Sequence, residues 1–201
     1  GASWASVAAR HRHTCGIKND GTLSCWGDNY YGPLGDGTLS NIRNVPTYLD
    51  AGASWASVAA GWRHTCGTKN DGTLWCWGDN WLGALGDATW SSKKVPSYVD
   101  AGTLWASVAA NALHTCGKKN DGPLWCWGDN TSGQLGDGTW SSKYVPTYVD
   151  AGVLWASVAA GTWHTCGTKS DGTLWCWGSN LTGELGNGTW SAKKNVPTYV
   201  D

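Results

Sequence analysis

Hydrophobic and polar positions alternate along this chain in short runs, and the same order of runs returns about every 50 residues. In residues 52–101, Ser57 to Ala60 and His64 to Lys69 read as strands. Asn70-Asp71-Gly72 reads as a turn, Thr73 to Gly78 as a returning strand, and Val95 to Val99 as a fourth, after loops rich in Gly, Asp and Ser. Side chains alternate across a strand, so in the third strand Leu74 and Cys76 point to one face and Trp75 and Trp77 to the other. A sheet apolar on both faces has to be covered on both. The unit recurs with few changes at 1–51, 102–151 and 152–201. A period of this length suits a small antiparallel sheet, and four units too small to bury a core alone must share one. The expected fold is all-β: a β-propeller-type array of four antiparallel four-stranded blades, forming a single repeat domain over 1–201.

The turn sets the register of the hairpin. Asn-Asp-Gly suits a three-residue loop, a type I turn closed by Gly in the left-handed region. With Asp71 at the centre, Lys69 faces Thr73, Thr68 faces Leu74, Gly67 faces Trp75, and Cys66 faces Cys76. Alternation makes the Cys pair a non-hydrogen-bonded one, where side chains approach most closely, and that geometry permits a cross-strand disulfide. The same arithmetic pairs Cys15 with Cys25, Cys116 with Cys126 and Cys166 with Cys176, which uses all eight cysteines. A loop of about eleven residues is worth ~2.5 to 3 kcal/mol when closed, or ~10 kcal/mol at most for four. Paired cysteines on this scale point to an oxidising compartment, hence to a secreted or cell-surface protein. Zinc is the rival reading, because His64 and Cys66 share a strand face with Cys76 across from them. Three ligands are one short of a structural site, and no Cys-x2-Cys knuckle occurs, so disulfides are preferred.

Fourteen basic residues against fifteen acidic give no electrostatic reason to bind nucleic acid, and no apolar run approaches a membrane span, so neither partner is expected. No signal peptide is recognisable, and the chain opens at Gly1 with no Met anywhere, as a processed mature protein or an excised fragment would. Seventeen tryptophans accompany no phenylalanine. Fourteen fall in four repeat registers: Trp4, Trp55, Trp105 and Trp155; Trp26, Trp77, Trp127 and Trp177; Trp75, Trp125 and Trp175; and Trp90, Trp140 and Trp190. These are expected to hold up the fold. Trp62, Trp81 and Trp163 stand outside the registers and, with Tyr30, Tyr31 and Arg63, form the candidate binding surface. Three windows differ between copies: 10–12, 61–63, 111–113 and 161–163; 30–33, 81–84, 131–134 and 181–184; and 40–44, 91–94, 141–144 and 191–195. Loops on a rigid scaffold are the usual seat of binding.

Catalytic chemistry is not expected. The recurring aspartates (Asp20, Asp71, Asp121 and Asp171 in the hairpin turn; Asp36, Asp87 and Asp137 in the Leu-Gly-Asp loop) are explained by turns that bond their own backbone. Glu184 is the only glutamate, so an acid-base pair would rest on one residue. His13, His64, His114 and His164 recur with the repeat and read as hydrogen-bonded structural residues. No phosphate-binding loop or nucleophile elbow appears, and no cofactor or metal is expected. Asn130, Asn180 and Asn187 each open a glycosylation sequon and are possible acceptors in a secreted chain.

Val58-Ala59-Ala60-Gly61, His64-Thr65-Cys66, then Asp71 to Asn80 (Asp-Gly-Thr-Leu-Trp-Cys-Trp-Gly-Asp-Asn), then Leu85-Gly86-Asp87 and Val95-Pro96, repeated in phase over the whole chain, resemble the repeat of the regulator of chromosome condensation family in its cysteine-paired, secreted form. The resemblance implies a propeller of four-stranded blades. Familiar members have seven, whereas this chain encodes four, so a four-bladed ring, an open arc, or an assembly closed by a second chain are all compatible. The family includes a nucleotide exchange factor, chromatin binders, an ultraviolet-B photoreceptor and a β-lactamase inhibitor. Gly61-Trp62-Arg63-His64-Thr65 matches the photoreceptor pentapeptide once, and the clustered tryptophans such a receptor needs are missing from the other copies. Asp201 is the residue that precedes Ala-Gly at each internal junction and Gly1 the one that follows, so head-to-tail contact would run almost in phase. The resulting expectation is a non-enzymatic extracellular structural or adhesive protein that associates with itself into a filament or larger ring. The alternatives are a carbohydrate-binding propeller using the unregistered aromatic residues, and a protein-binding inhibitor or ligand.

Overall fold

A computed structural model of the chain describes every residue except 40, 41, 50, 51 and 191, so part of the third variable window lies outside the described residues. The described residues form four antiparallel sheets, each with its strands in chain order, and contain no helix. Blade 1 holds β1 (Trp4–Arg10), β2 (His13–Lys18), β3 (Leu23–Gly27) and β4 (Arg43–Leu49). Blade 2 holds β5 (Trp55–Ala60), β6 (His64–Lys69), β7 (Leu74–Gly78) and β8 (Lys93–Val99). Blade 3 holds β9 (Trp105–Ala110), β10 (His114–Lys119), β11 (Leu124–Gly128) and β12 (Lys143–Val149). Blade 4 holds β13 (Trp155–Ala160), β14 (His164–Lys169), β15 (Leu174–Gly178) and β16 (Lys194–Val200). The first and fourth strands of blade 2 start two residues earlier than the alternation suggests. Register shifts, between Trp55 and Ser57 and between Cys76 and Gly78, carry pairing past the point where simple alternation breaks.

The hairpin follows the register read from its turn. Lys69 N donates to Thr73 O at 2.9 Å and Gly72 N to Lys69 O at 2.9 Å, with Gly72 at φ +82°. Asp71 Oδ1 accepts from the Thr73 hydroxyl at 2.6 Å and from Thr73 N at 2.9 Å, and these bonds hold the carboxyl below the usual carboxylate range. Cys66 stands opposite Cys76 with Cα atoms 4.1 Å apart, and all four cross-strand disulfides are formed. The zinc alternative lapses, since the thiols are consumed.

Blades stack face to face. First strands pack on first strands, and the second strand of each blade packs on the first strand of the next, so β1, β5, β9 and β13 line the inside of the curve. Each core cluster joins the disulfide and leucines of one blade to two tryptophans of its successor: Cys15, Leu23, Cys25, Leu34 and Leu49 meet Trp55 and Trp77, and the arrangement recurs twice more. The two apolar faces of each third strand therefore differ, with Leu and Cys facing forward and Trp facing back.

The array is an open arc. Trp55, Trp105 and Trp155 are at most 2% exposed, but Trp4 in the same register is 40% exposed, because no Leu/Cys face covers it. At the other end Leu174 is 40% exposed where Leu23, Leu74 and Leu124 are fully buried. One register departs from expectation throughout. Trp90, Trp140 and Trp190 are exposed and do not belong to the core, since they sit on the long loops beyond the third strand.

Candidate functional site

Antiparallel succession sends the links between first and second strands, and between third and fourth, to the same end of every blade. The described parts of all three variable windows thus share one face, here termed the loop face. Its loops are pinned from within. Asn29 Nδ2 donates to Asp36 Oδ1 at 3.1 Å and Thr38 O at 3.2 Å, while its Oδ1 accepts from Leu34 N at 3.1 Å; Asn80, Asn130 and Asn180 repeat the pattern. Asp28 Oδ1 accepts from Tyr30 N at 2.9 Å, so Tyr30 and Tyr31 leave a fixed corner.

Between blades 1 and 2 the loop face opens into a cleft of about 740 Å³ lined by His11, Arg12, Tyr30, Tyr31, Ile42, Trp62 and Arg63 among others. The Arg63 guanidinium lies 4.3 Å from the Tyr31 ring centre and 4.6 Å from that of Trp62, stacked between two aromatic faces. Tyr30 meets Tyr31 edge-on at 4.8 Å, and His11 meets Trp62 edge-on at 5.3 Å. Asp79 lies 3.9 Å from Arg63. All four arginines of the chain belong to blades 1 and 2, and Arg12 and Arg63 gather here with His11, while Arg10 lines a second cleft. The matching stretches of blades 3 and 4, Asn111-Ala112-Leu113 and Gly161-Thr162-Trp163, carry no charge. Arg10 is held by the uncharged Asn111 side chain, and Arg12 makes no ion pair among the described residues, although Asp28 lines the same cleft.

The second cleft, of about 510 Å³ on the inside of the curve, is lined by Arg10, His11, Trp62, Asn111, Ala112 and Trp163 among others. Asn111 ties this region together, accepting from Trp62 N on its carbonyl and reaching the Ala160 carbonyl with its side chain. Of the residues singled out from sequence, Tyr30, Tyr31, Trp62 and Arg63 converge in one cleft, and Trp163 faces Trp62 across the second. Trp81 lines neither and projects into solvent, 72% exposed. Arg10, His11, Arg12 and Ile42 were not singled out as site residues. The signal that finds the first three is the uneven placement of arginine among otherwise matching repeats.

The histidines lie at the blade junctions. His13, His64 and His114 each place Nε2 2.9 Å from the hydroxyl of Thr65, Thr115 and Thr165 of the next blade. That hydroxyl donates its only proton to the carbonyl of Pro33, Ala84 or Gln134 at 2.7–2.8 Å, so it accepts from the imidazole and the proton sits on Nε2. Burial lowers the ring pKa to about 4 for His13 and about 3 for His64 and His114, the two neighbouring imidazoles adding to the effect at His64. His164, in the last blade described, is only half-buried and its pKa is lowered by that partial burial.

The three sequon asparagines sit differently in the loops. Asn130 and Asn180 are fully buried, their amide nitrogens committed to the loop carbonyls of Thr139 and Thr189 at 3.0 Å, so a glycan on either would displace the pin that shapes the loop. Asn187 is partly exposed, with its Oδ1 accepting from Thr189 N at 3.1 Å.

Residues 4–32, 55–80, 105–134 and 155–184 match a family model described as the regulator of chromosome condensation (RCC1) repeat, and a second model of that description matches 20–67 and 121–167. The ultraviolet-B receptor UVR8 of Arabidopsis thaliana is 35% identical over 88 residues, which is 43% of this chain and 20% of the receptor. The solved structure of Prp20p from Saccharomyces cerevisiae, reported with its binding to Gsp1p and histones, superposes with a TM-score of 0.86 at 21% identity over all of this chain and 51% of its own. The ectodomain of the receptor kinase CR4 from Physcomitrella patens superposes with a TM-score of 0.57 at 26% identity, covering 89% of this chain and 41% of the ectodomain. This chain spans a fifth or less of the curated relatives it matches, and about half of the Prp20p structure.

Proposed function

We propose, for a chain that belongs to the regulator of chromosome condensation (RCC1) repeat family, a non-enzymatic extracellular role in which the blades serve as a rigid scaffold and the loop face of blades 1 and 2 takes a protein partner. The observation that carries this is the stacking of Arg63 between Tyr31 and Trp62 at 4.3 and 4.6 Å, beside the exposed Arg12 and His11. Trp, Tyr and Arg are the residues that dominate the energetics of protein interfaces, and a stacked guanidinium loses little side-chain freedom on docking. Arg12 and Arg63 favour an acidic docking segment, and Ile42 an apolar side chain beside it. The four disulfides support an oxidising compartment, and the likeness to a receptor ectodomain agrees with it. That Prp20p is described as binding other proteins is consistent with a propeller scaffold used for docking.

The test is a screen of the oxidised chain against an array of extracellular protein domains, followed by Trp62→Ala and Arg63→Ala. Each substitution should weaken a captured partner at least tenfold, and binding should fall steeply as salt is raised. Partners that bind these variants as tightly as the parent chain would overturn the reading. A glycan array run in parallel distinguishes the carbohydrate-binding alternative, for which Tyr30 and Trp81 offer exposed rings.

A structural or adhesive role through self-association, as a filament or larger ring, is favoured by a different observation: blades 1 and 4 each leave an apolar face uncovered. A mass that rises with concentration supports it.

A further inference from the structure

The three internal junctions are near copies of one another at the level of single atoms. At the first, Trp55 N donates to Gly21 O at 2.9 Å, Thr65 Oγ1 and Trp77 Nε1 both donate to Pro33 O at 2.7 and 2.8 Å, and His13 Nε2 donates to Thr65 Oγ1 at 2.9 Å. At the second the same roles fall to Trp105 and Gly72, Thr115 and Trp127 on Ala84 O, and His64. At the third they fall to Trp155 and Gly122, Thr165 and Trp177 on Gln134 O, and His114.

The two uncovered faces hold the two halves of a fourth such junction. Blade 4 presents His164 and the carbonyls of Glu184 and Gly172; blade 1 presents Thr14, Trp26 and the backbone N–H of Trp4. Each stands in the repeat register of a residue that makes the contact inside the chain. The steric record agrees. A Cβ on Gly21 would touch Ser54, one on Gly72 or Gly122 would touch the leucine of the next blade, and one on Gly172 would meet nothing within 4 Å.

We infer that blade 4 of one copy docks on blade 1 of a second copy of this chain, head to tail, reproducing the internal junction. His164 then donates to Thr14 Oγ1, Thr14 and Trp26 donate to the Glu184 carbonyl, and Trp4 N donates to the Gly172 carbonyl, across the boundary between copies. The inference rests on the self-associating reading and adds to it the surface and the pairing. Charge takes part in the match: at the second junction Lys119 Nζ lies 3.1 Å from Asp100 Oδ2, and at the third Lys169 Nζ lies 3.0 Å from Asp150 Oδ2. Hydrogen-bond donors meet acceptors, and the exposed Trp4 ring meets the exposed leucine face, which is how each interior junction is built.

The experiment combines concentration-dependent sedimentation of the oxidised chain with a site-specific cross-link. A Cβ at Gly21 lies 3.4 Å from the Ser54 Cβ, within reach of a disulfide, so the matching pair across the boundary is Gly172 with Ser3. Both are exposed, and the Ser3→Cys/Gly172→Cys chain leaves the interior untouched. Mixed copies carrying light and heavy isotopes should give a disulfide between positions 3 and 172 of different copies, identified by peptide mass. Thr14→Val, which removes the hydroxyl that accepts from His164 and donates to the Glu184 carbonyl, should weaken association at least tenfold, a factor corresponding to about 1.4 kcal/mol. Association without the 3–172 cross-link would overturn this surface and leave the self-associating reading standing. A chain that stays at monomer mass up to hundreds of micromolar would overturn both.

Discussion

Blade 2 and blade 1 are written in nearly the same residues, yet Trp55 is sealed at 2% exposure and its counterpart Trp4 stands 40% open. The difference is not in the sequence of either blade but in what precedes it. Blade 2 rests on the Cys15–Cys25 disulfide, Leu23 and Leu34, whereas nothing described rests on Trp4. In this architecture the unit of stability is the junction between blades rather than the blade. A residue's energetic weight is therefore set by whether its register is flanked, which is the behaviour of a quasi-one-dimensional array.

The strongest test of that comparison separates what lies within blades from what lies between them. Reduction removes all four cross-strand bridges at once, a loss of ~10 kcal/mol by the chain-entropy estimate, comparable to the stability of a whole domain. Circular dichroism melts with and without reductant should show the folded chain at room temperature only when oxidised. If the reduced chain melts within a few degrees of the oxidised one, the junctions suffice alone and the bridges are secondary. The next effect compares equivalent tryptophans. Trp105→Ala empties a buried site and should cost about 3–5 kcal/mol in denaturant unfolding, while Trp4→Ala, at a partly open site, should cost well under half as much. Equal costs would show that blade 1 is covered in solution, as head-to-tail docking requires at high concentration.

Acidification reads the same contrast through the histidines. The folded chain keeps His13, His64 and His114 neutral down to about pH 4, 3 and 3, whereas in the unfolded chain each takes up a proton near pH 6.5. Between those values the unfolded state binds more protons, so stability is full above about pH 6.5, falls as pH drops through the window, and levels off below it. At pH 5 the loss is about 2 kcal/mol for each buried ring, on the pKa scale of about 1.4 kcal/mol per unit. Asp20, Asp71 and Asp171 are held below the ordinary carboxylate range, first by the Thr hydroxyl beside each. His64→Gln should flatten the pH dependence between 7 and 5 by about one such increment, and His164→Gln, at a half-buried ring, by much less. Identical flattening by the two variants would contradict the difference between flanked and unflanked junctions.

Much of this was legible from the repeat, because a repeat separates what every blade needs from what one blade has. The Asp71-centred turn gave the pairing of Cys66 with Cys76, since a three-residue loop fixes register and register fixes which side chains meet. The alternation of Leu74, Trp75, Cys76 and Trp77 foretold a sheet covered on both faces. Other features were hidden for physical reasons. The bulge at Trp55 is a break in alternation and leaves no periodic trace. Trp90 sits in register with its copies and is nonetheless exposed, because recurrence records a shared environment and not a buried one. Asn130 satisfies the sequon rule but its amide pins a loop, and local triplets carry no information on burial. The site was half visible. Tyr31, Trp62 and Arg63 stood out as departures from the repeat, whereas Arg12 and Ile42 join them only through the folding of one loop against another.

The smallest expected effect isolates one junction contact from backbone strain. Gly72 and Gly172 close the same turn in blades 2 and 4, with φ of +82° and +87°, so Ala at either position pays the same left-handed penalty of about 1 kcal/mol. At Gly72 the new Cβ would also lie 3.2–3.3 Å from Leu104 of blade 3, closer than relaxed contact, while at Gly172 it meets open space. Gly72→Ala should therefore destabilise the chain by a few tenths of a kcal/mol more than Gly172→Ala, because Leu104 is partly exposed and can give way. The difference is to be measured by denaturant unfolding at low micromolar concentration, where copies are apart. Repeating it at high concentration turns the same pair into a probe of the boundary between copies: the two variants should converge as Gly172 acquires the Ser3 of a neighbour, and a gap that does not change with concentration would mean that blade 4 remains uncovered.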